Sequence, residues 1–198
     1  MDNLVELLRA VVGPGGSEKL GSVLGVRPQQ AQQAIDHAIP AIVGGLIQQV
    51  AQPHGPEMLE RRLEGYDEGM LDQLDELWGE SGSAQRQTIL TRGSEVLQDL
   101  FAGNLSSVLE GISKISQIDL EKVRALLAML VPVVMGFLKR QRREQGWDVA
   151  DLARVLISQQ GALKDWLPAG MADSLGAAQT VRDSAAATPV SYTHLRAH

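Results

Sequence analysis

The sequence predicts an all-α protein. Apolar residues recur every three or four positions over long stretches, which is the spacing of one helix face. No segment has the apolar–polar alternation between hairpin turns that is typical of strands. The chain has 198 residues, of which 44% are hydrophobic and 21% charged, a composition typical of globular proteins. It contains no cysteine, which excludes disulfides and thiolate chemistry and favours a reducing compartment.

In the first half of the chain, glycine and proline mark the ends of the predicted helices. Helices are expected over residues 3–12, 17–24 and 28–51, and Gly13-Pro14-Gly15-Gly16 separates the first two. Pro40 lies inside the third helix and should kink it, because proline lacks the N–H that would bond to Asp36. An amphipathic acidic segment (residues 57–80) follows, with nine acidic and two basic side chains.

The second half repeats this arrangement. Helices are expected over residues 85–90, 94–101, 104–115, 120–145 and 148–157, and Pro132 lies inside the long one. At an offset of 92 residues, Pro40 aligns with Pro132 and Gly44 aligns with Gly136. Matching interior prolines are unusual because each costs about 3 kcal/mol in a helix.

The sequence therefore predicts a duplicated helical unit. The two repeats cover about residues 5–64 and 97–156, are joined by an acidic helical connector, and form one domain over residues 1–167. Two long Pro-kinked helices would pack around a pseudo-two-fold, with shorter amphipathic helices beside them. Their close crossing is expected at Pro40, Gly44, Gly45, Pro132 and Gly136. The alternative is that these kinks and glycines line a ligand cavity between the repeats.

Several segments resemble a known family. Ala38-Ile39-Pro40-Ala41-Ile42-Val43-Gly44-Gly45-Leu46, Leu100-Phe101-Ala102-Gly103 and Val131-Pro132-Val133-Val134-Met135-Gly136 look like the bacterial proteins of the domain of unknown function 937 family. The resemblance covers about residues 3–160. It implies an all-helical bacterial domain and supplies no catalytic residues.

The C-terminal part of the chain is predicted to be a separate, low-complexity tail. Residues 168–198 include an Ala/Ser/Thr-rich stretch and are expected to be disordered. The last eight residues, 191–198, resemble a translated sequencing adapter and are left out of the fold argument.

The remaining residues show no pattern typical of catalysis. His37 and His54 are isolated and have no neighbours at metal-ligand spacing, so we expect neither a metal nor a cofactor. Gly13-Pro14-Gly15-Gly16 lacks the Gly-Lys-Ser/Thr ending and the preceding strand of a phosphate-binding loop. We therefore expect a protein that is not an enzyme.

Four cations stand close together near the end of the second long helix. This basic cluster (Lys139, Arg140, Arg142 and Arg143) fits the negative end of the helix dipole, which predicts a capping and solubility role. The alternatives are an acidic protein partner, an intramolecular match to the acidic segment, and binding of nucleic acid or anionic lipid. The sequence pI of about 5.2 disfavours a dedicated nucleic-acid surface.

The leading functional hypothesis is a non-enzymatic protein-interaction or self-association module. The competing hypotheses are nucleic-acid or anionic-surface binding through the basic cluster, and small-molecule binding or catalysis in a cavity between the repeats. The longest apolar run, residues 125–138, is shorter than a membrane-spanning helix and contains Pro132. No transmembrane segment is therefore expected, and the predicted location is cytoplasmic.

Overall fold

The protein is an arrangement of helices around two long central ones. The computed structural model describes residues 3–79 and 83–167, and within these residues every regular element is a helix. The predicted all-α class is confirmed. In chain order the elements are α1 (Leu4–Leu24), α2 (Pro28–Val50), α3 (Gly55–Glu64), a 3-10 helix (Glu68–Gln73), α4 (Leu74–Leu77), α5 (Ser83–Phe101), α6 (Leu105–Ser116), α7 (Leu120–Gln145), α8 (Val149–Ser158) and α9 (Gln160–Leu163).

The central helices are α2 and α7, the two long helices that the sequence predicts. They pack against each other, and α1 and α6 flank α2 while α5 flanks α7. Every residue from Ala38 to Ile47 in α2 and from Leu126 to Leu138 in α7 is buried. A helix buried on all sides belongs in the core, so these two helices organise the remaining ones.

Each central helix contains a proline in its buried part. Because proline has no N–H, Pro40 cannot donate to the Asp36 carbonyl, and Pro132 cannot donate to the Ala128 carbonyl. Arg9 on α1 compensates for the first proline, since its Nη2 donates to the Asp36 carbonyl oxygen at 2.7 Å. This bond fixes the position of α1 against α2.

At the second proline, α5 packs directly on the backbone of α7. A Cβ placed on Gly93 would collide with the Ala128 carbonyl and would lie 2.8 Å from the Ala128 Cα. The prediction of two helices over 85–90 and 94–101 is wrong, because α5 continues through Gly93. Glycine is required there for close helix packing and does not end a helix.

The prediction of separate helices over 3–12 and 17–24 is corrected in a similar way. These residues form α1, which is interrupted only at Gly13, where φ is 63° and ψ is 175°. A positive φ favours glycine, and the predicted break in the helix at Gly13 is confirmed. The second helical part begins next to Pro14 and not at Ser17, whose hydroxyl donates to the Pro14 carbonyl at 2.8 Å.

Two pairs of residues 92 positions apart share an unusual backbone conformation. Gly25 and Gln117, which end α1 and α6, have φ values of 65° and 55°. His54 and Gly146, which follow α2 and α7, have φ values of 60° and 65°. The turns that precede and follow the two central helices therefore have matching geometry.

The turns before α2 and α7 also contact each other reciprocally. Gln30 Nε2 donates to the Gln117 carbonyl oxygen at 2.9 Å, and Lys122 Nζ donates to the Gly25 carbonyl oxygen at 3.5 Å. Lys122 stands 92 residues after Gln30, as Gln117 does after Gly25. Each bond therefore joins the same two positions of the predicted repeat. The half that donates in one bond accepts in the other.

Replacing Gly93 with alanine tests the packing of α5 on α7. Gly93→Ala should lower the free energy of unfolding by about 1–3 kcal/mol, because the added methyl group overlaps the α7 backbone. Gly15→Ala is the matched control, since nothing lies within 4 Å of its added Cβ. Chemical denaturation should show the control unchanged or raised by up to about 1 kcal/mol. Equal effects of the two substitutions would contradict the packing described.

Candidate functional site

The basic cluster lies against the acidic segment. Lys139 Nζ donates to the Tyr66 carbonyl oxygen at 2.6 Å. Arg140 Nη2 donates to the Glu68 carbonyl oxygen at 3.1 Å and to Asp72 Oδ2 at 2.9 Å. These bonds hold the 3-10 helix and the residues before it on the surface of α7.

The other two cations of the cluster pair with glutamates. Arg142 Nη2 donates to Glu60 Oε1 of α3 at 2.8 Å, and Arg143 Nη1 pairs with Glu68 Oε1. One interpretation of the basic cluster is an intramolecular match to the acidic segment. The structure brings the residues of these two groups into contact. Arg142 and Arg143 also lie in the last turn of α7, where cations complement the helix dipole.

A pocket opens between the acidic segment and α5, with Pro132 of α7 in its lining. Its volume is about 360 Å³, within the range of small-molecule sites. The apolar side chains that line it are Met70, Leu77, Ile89 and Pro132, and the ionisable ones are Tyr66, Asp67, Glu76 and Arg92. The pocket therefore combines an apolar surface with charges of both signs.

Tyr66 is a partly buried phenol in the lining of the pocket. Burial raises the pKa of its phenol above 10.0, and the charges of Arg62 and Arg92 oppose this shift, while Glu95 adds to it. The hydroxyl is therefore protonated at neutral pH and can donate a hydrogen bond.

The five residues predicted for the helix kinks and close crossing occupy different surroundings. Pro132 lines the pocket, and Pro40 and Gly44 are buried in α2. A Cβ on Gly45 would lie 3.1 Å from the Phe101 ring of α5, and one on Gly136 would lie 3.4 Å from the Asp67 carbonyl oxygen. The neighbours of these two glycines are thus α5 and the acidic segment.

The sequence reasoning did not single out Tyr66, Arg92 or Gly93. Tyr66 and Arg92 come from segments far apart in the chain, and only the tertiary structure brings them to one pocket. Gly93 had a visible signal, a glycine between two helical patterns, but this was interpreted as a helix end.

Five large apolar side chains are exposed in the described part of the chain. Val23, Ile115 and Leu120 are 37%, 37% and 45% exposed and lie beside the contacting turns before α2 and α7. We call these three residues the apolar end. Met58 on α3 and Ile157 on α8 are the other two.

Residues 3–79 and 83–167 contain neither a cluster of metal-ligating side chains nor a membrane-spanning helix. No group of three or more histidine, aspartate or glutamate side chains there is arranged to hold a metal ion. Nor does any helix of these residues combine the length and the apolar character needed to cross a membrane.

A double-mutant cycle tests whether the basic cluster holds the acidic segment. Arg142→Gln and Glu60→Gln should show a coupling of about 0.5–1 kcal/mol in the free energy of unfolding, because the two side chains are only 29% and 39% exposed. Added salt should reduce the coupling. The control cycle, Lys19→Gln with Asp75→Asn, concerns a pair that is 38% and 86% exposed and should give a smaller value. A coupling near zero at low salt for the Arg142 pair would contradict this interpretation.

Titration of Tyr66 tests the burial of its phenol. Because the folded-state pKa is above 10.0, the folded protein holds the proton more tightly than the unfolded chain does. The free energy of unfolding should therefore be unaffected by this group below pH 10 and should fall as the pH rises through the folded-state pKa. Subtracting the phenolate absorbance titration of Tyr66→Phe from that of the wild type should give a component with a pKa above 10.0. A component at or below that value would show that the phenol is not buried as described.

Comparison with known proteins identifies the family of this chain. The search of curated proteins and the search of solved structures each found no significant match. The scan of protein families matched residues 6–141 to a family described as bacterial protein of unknown function, DUF937. This confirms the resemblance seen in the paired Pro–Gly helices, and the chain belongs to the DUF937 family of bacterial proteins.

Proposed function

We propose that the chain is a non-enzymatic protein-interaction module that associates with a second copy of itself. The observation that carries the proposal is the apolar end, where Val23, Ile115 and Leu120 are exposed next to the two turns that contact each other. Removal of apolar surface from water contributes about 25 cal/mol per Å². Contact of these three side chains with a partner is therefore favourable, and exposed apolar side chains are common at interaction sites.

We further propose that the two halves of the chain are a duplicated unit related by a pseudo-two-fold axis. The reciprocal bonds from Gln30 to Gln117 and from Lys122 to Gly25 support it, because a two-fold axis exchanges such contacts. The matching positive φ values at Gly25 and Gln117 support it as well. The axis would pass between these two turns.

This proposed symmetry is the reason for choosing a second copy as the partner. Val23 and Ile115 stand 92 residues apart, so they would occupy equivalent positions on either side of the axis. A surface with local two-fold symmetry presents similar side chains after a half-turn. Symmetric dimers join like surfaces in this way, so two apolar ends can meet face to face.

The basic cluster supports an interaction module over a nucleic-acid-binding protein. Its cations contact carboxylates or carbonyl oxygens of residues 60–72. A nucleic acid or an anionic lipid would compete with these groups for the same cations. Binding through this cluster stays a prediction, as does the cytoplasmic location.

Light scattering on the full chain tests self-association. The wild type should have a molar mass of about twice 21.3 kDa, and Leu120→Glu should have the mass of one chain. Leu120 is the first residue of α7, where a carboxylate is favourable, so this substitution should preserve the fold. It places a charge at the apolar end, which opposes burial there.

The matched control is Ile157→Lys. Ile157 is 42% exposed and lies in the last turn of α8, where a cation is also tolerated. This variant should keep the wild-type mass. A wild type with the mass of one chain at every concentration would overturn the proposal, as would equal effects of the two substitutions.

A further inference from the structure

The pocket beside Pro132 is built from three parts of the chain. Tyr66, Met70 and Glu76 come from the acidic segment, Ile89 and Arg92 from α5, and Pro132 from α7. The basic cluster holds one wall in place, because Lys139 donates to the carbonyl oxygen of Tyr66 itself. Gly93, next to Arg92, packs on the backbone of α7 and fixes the opposite wall.

The apolar part of the pocket suits a hydrocarbon group. Met70, Ile89 and the Pro132 ring present carbon atoms, and burial of a small aliphatic side chain against them is favourable. A volume of about 360 Å³ limits the occupant to a small molecule.

The charged part suits two opposite charges on the same molecule. Arg92 forms no ion pair with any carboxylate of the described residues, so its guanidinium is available to a ligand carboxylate. Glu76 likewise forms no ion pair there, so its carboxylate is available to a ligand ammonium group. The second carboxylate of the lining, Asp67, accepts a bond on its Oδ1 from the Gly69 N–H at 2.9 Å.

A ligand with a single charge fits this lining less well. A simple carboxylate would meet Arg92 but would be repelled by Glu76 and Asp67, and a simple amine would meet a carboxylate but would leave Arg92 without a partner. A zwitterion satisfies both groups. Tyr66 adds a neutral hydroxyl, which donates to a carboxylate without changing the charge balance.

We propose that this pocket binds a free α-amino acid with an apolar side chain. The ligand carboxylate bonds to Arg92 and the Tyr66 hydroxyl, the ammonium group bonds to Glu76, and the side chain packs on Met70, Ile89 and Pro132. This proposal is independent of self-association, because none of the three residues of the apolar end lines the pocket.

Calorimetric titration of the full chain with three probes tests the proposal. L-leucine carries both charges, L-leucinamide lacks the carboxylate, and 4-methylpentanoate lacks the ammonium group. L-leucine should bind at least roughly tenfold more tightly than either single-charge probe, as expected for the loss of one charge-assisted bond. Equal binding of the three probes, or no binding of L-leucine, would overturn the proposal.

Two substitutions assign the two charges of the ligand. Arg92→Gln should reduce the preference for L-leucine over L-leucinamide, because only the neutral Tyr66 hydroxyl then bonds to the carboxylate, and should keep the preference over 4-methylpentanoate. Glu76→Gln should have the reverse pattern. Both side chains are exposed, so the fold should be retained. Unchanged preferences in these variants would overturn the assignment.

Matched controls make the same charge changes away from the pocket. Arg61→Gln and Glu57→Gln alter exposed residues of α3 that do not line it, and both should bind all three probes as the wild type does. A loss of L-leucine binding in these controls equal to that in the pocket variants would show that net charge, and not the pocket, determines affinity.

Discussion

The structure depends on two prolines buried inside its central helices. Each removes a donor from the helix, which leaves a carbonyl without its helical partner, and a neighbouring element covers that carbonyl. Arg9 covers the Asp36 carbonyl with a guanidinium, and Gly93 lies against the Ala128 carbonyl with its backbone. The missing backbone hydrogen bonds of α2 and α7 therefore help to position the flanking helices α1 and α5, in addition to ordinary apolar packing.

A second constraint is the charge of the acidic segment. A short 3-10 helix and the four-residue α4 have little stability of their own, and carboxylates close together repel one another. The cations at the end of α7 offset this repulsion through Glu60, Glu68 and Asp72. Lys139 of the same basic cluster donates to the Tyr66 carbonyl oxygen and so helps to hold Tyr66 in the wall of the pocket. A run of cations that is also compatible with a nucleic-acid site therefore stabilises one wall of this pocket.

The long helices and their prolines could be predicted from the sequence because helical periodicity and interior prolines are local signals. The continuity of α5 through Gly93 could not, because the reason for that glycine is the backbone of α7, far away in the chain. The basic cluster was visible as a run of cations, but a run does not indicate its partners. Tyr66 and Arg92 gave no signal, since their meeting at one pocket depends on the packing of α5.

The proposed duplication allows the two proline sites to be compared position by position. At the offset of 92 residues, Arg9 corresponds to Phe101, and the two side chains make different contacts. Arg9 bonds to the carbonyl opposite Pro40 and also lies 4.0 Å from the Trp166 ring, which fills the surface beside it. Phe101 packs on Gly45 instead, and Gly93 of α5 lies against the carbonyl opposite Pro132. Pro132 lines the pocket and Pro40 does not, so the two proline sites differ in their surroundings as well as in the element that packs on them.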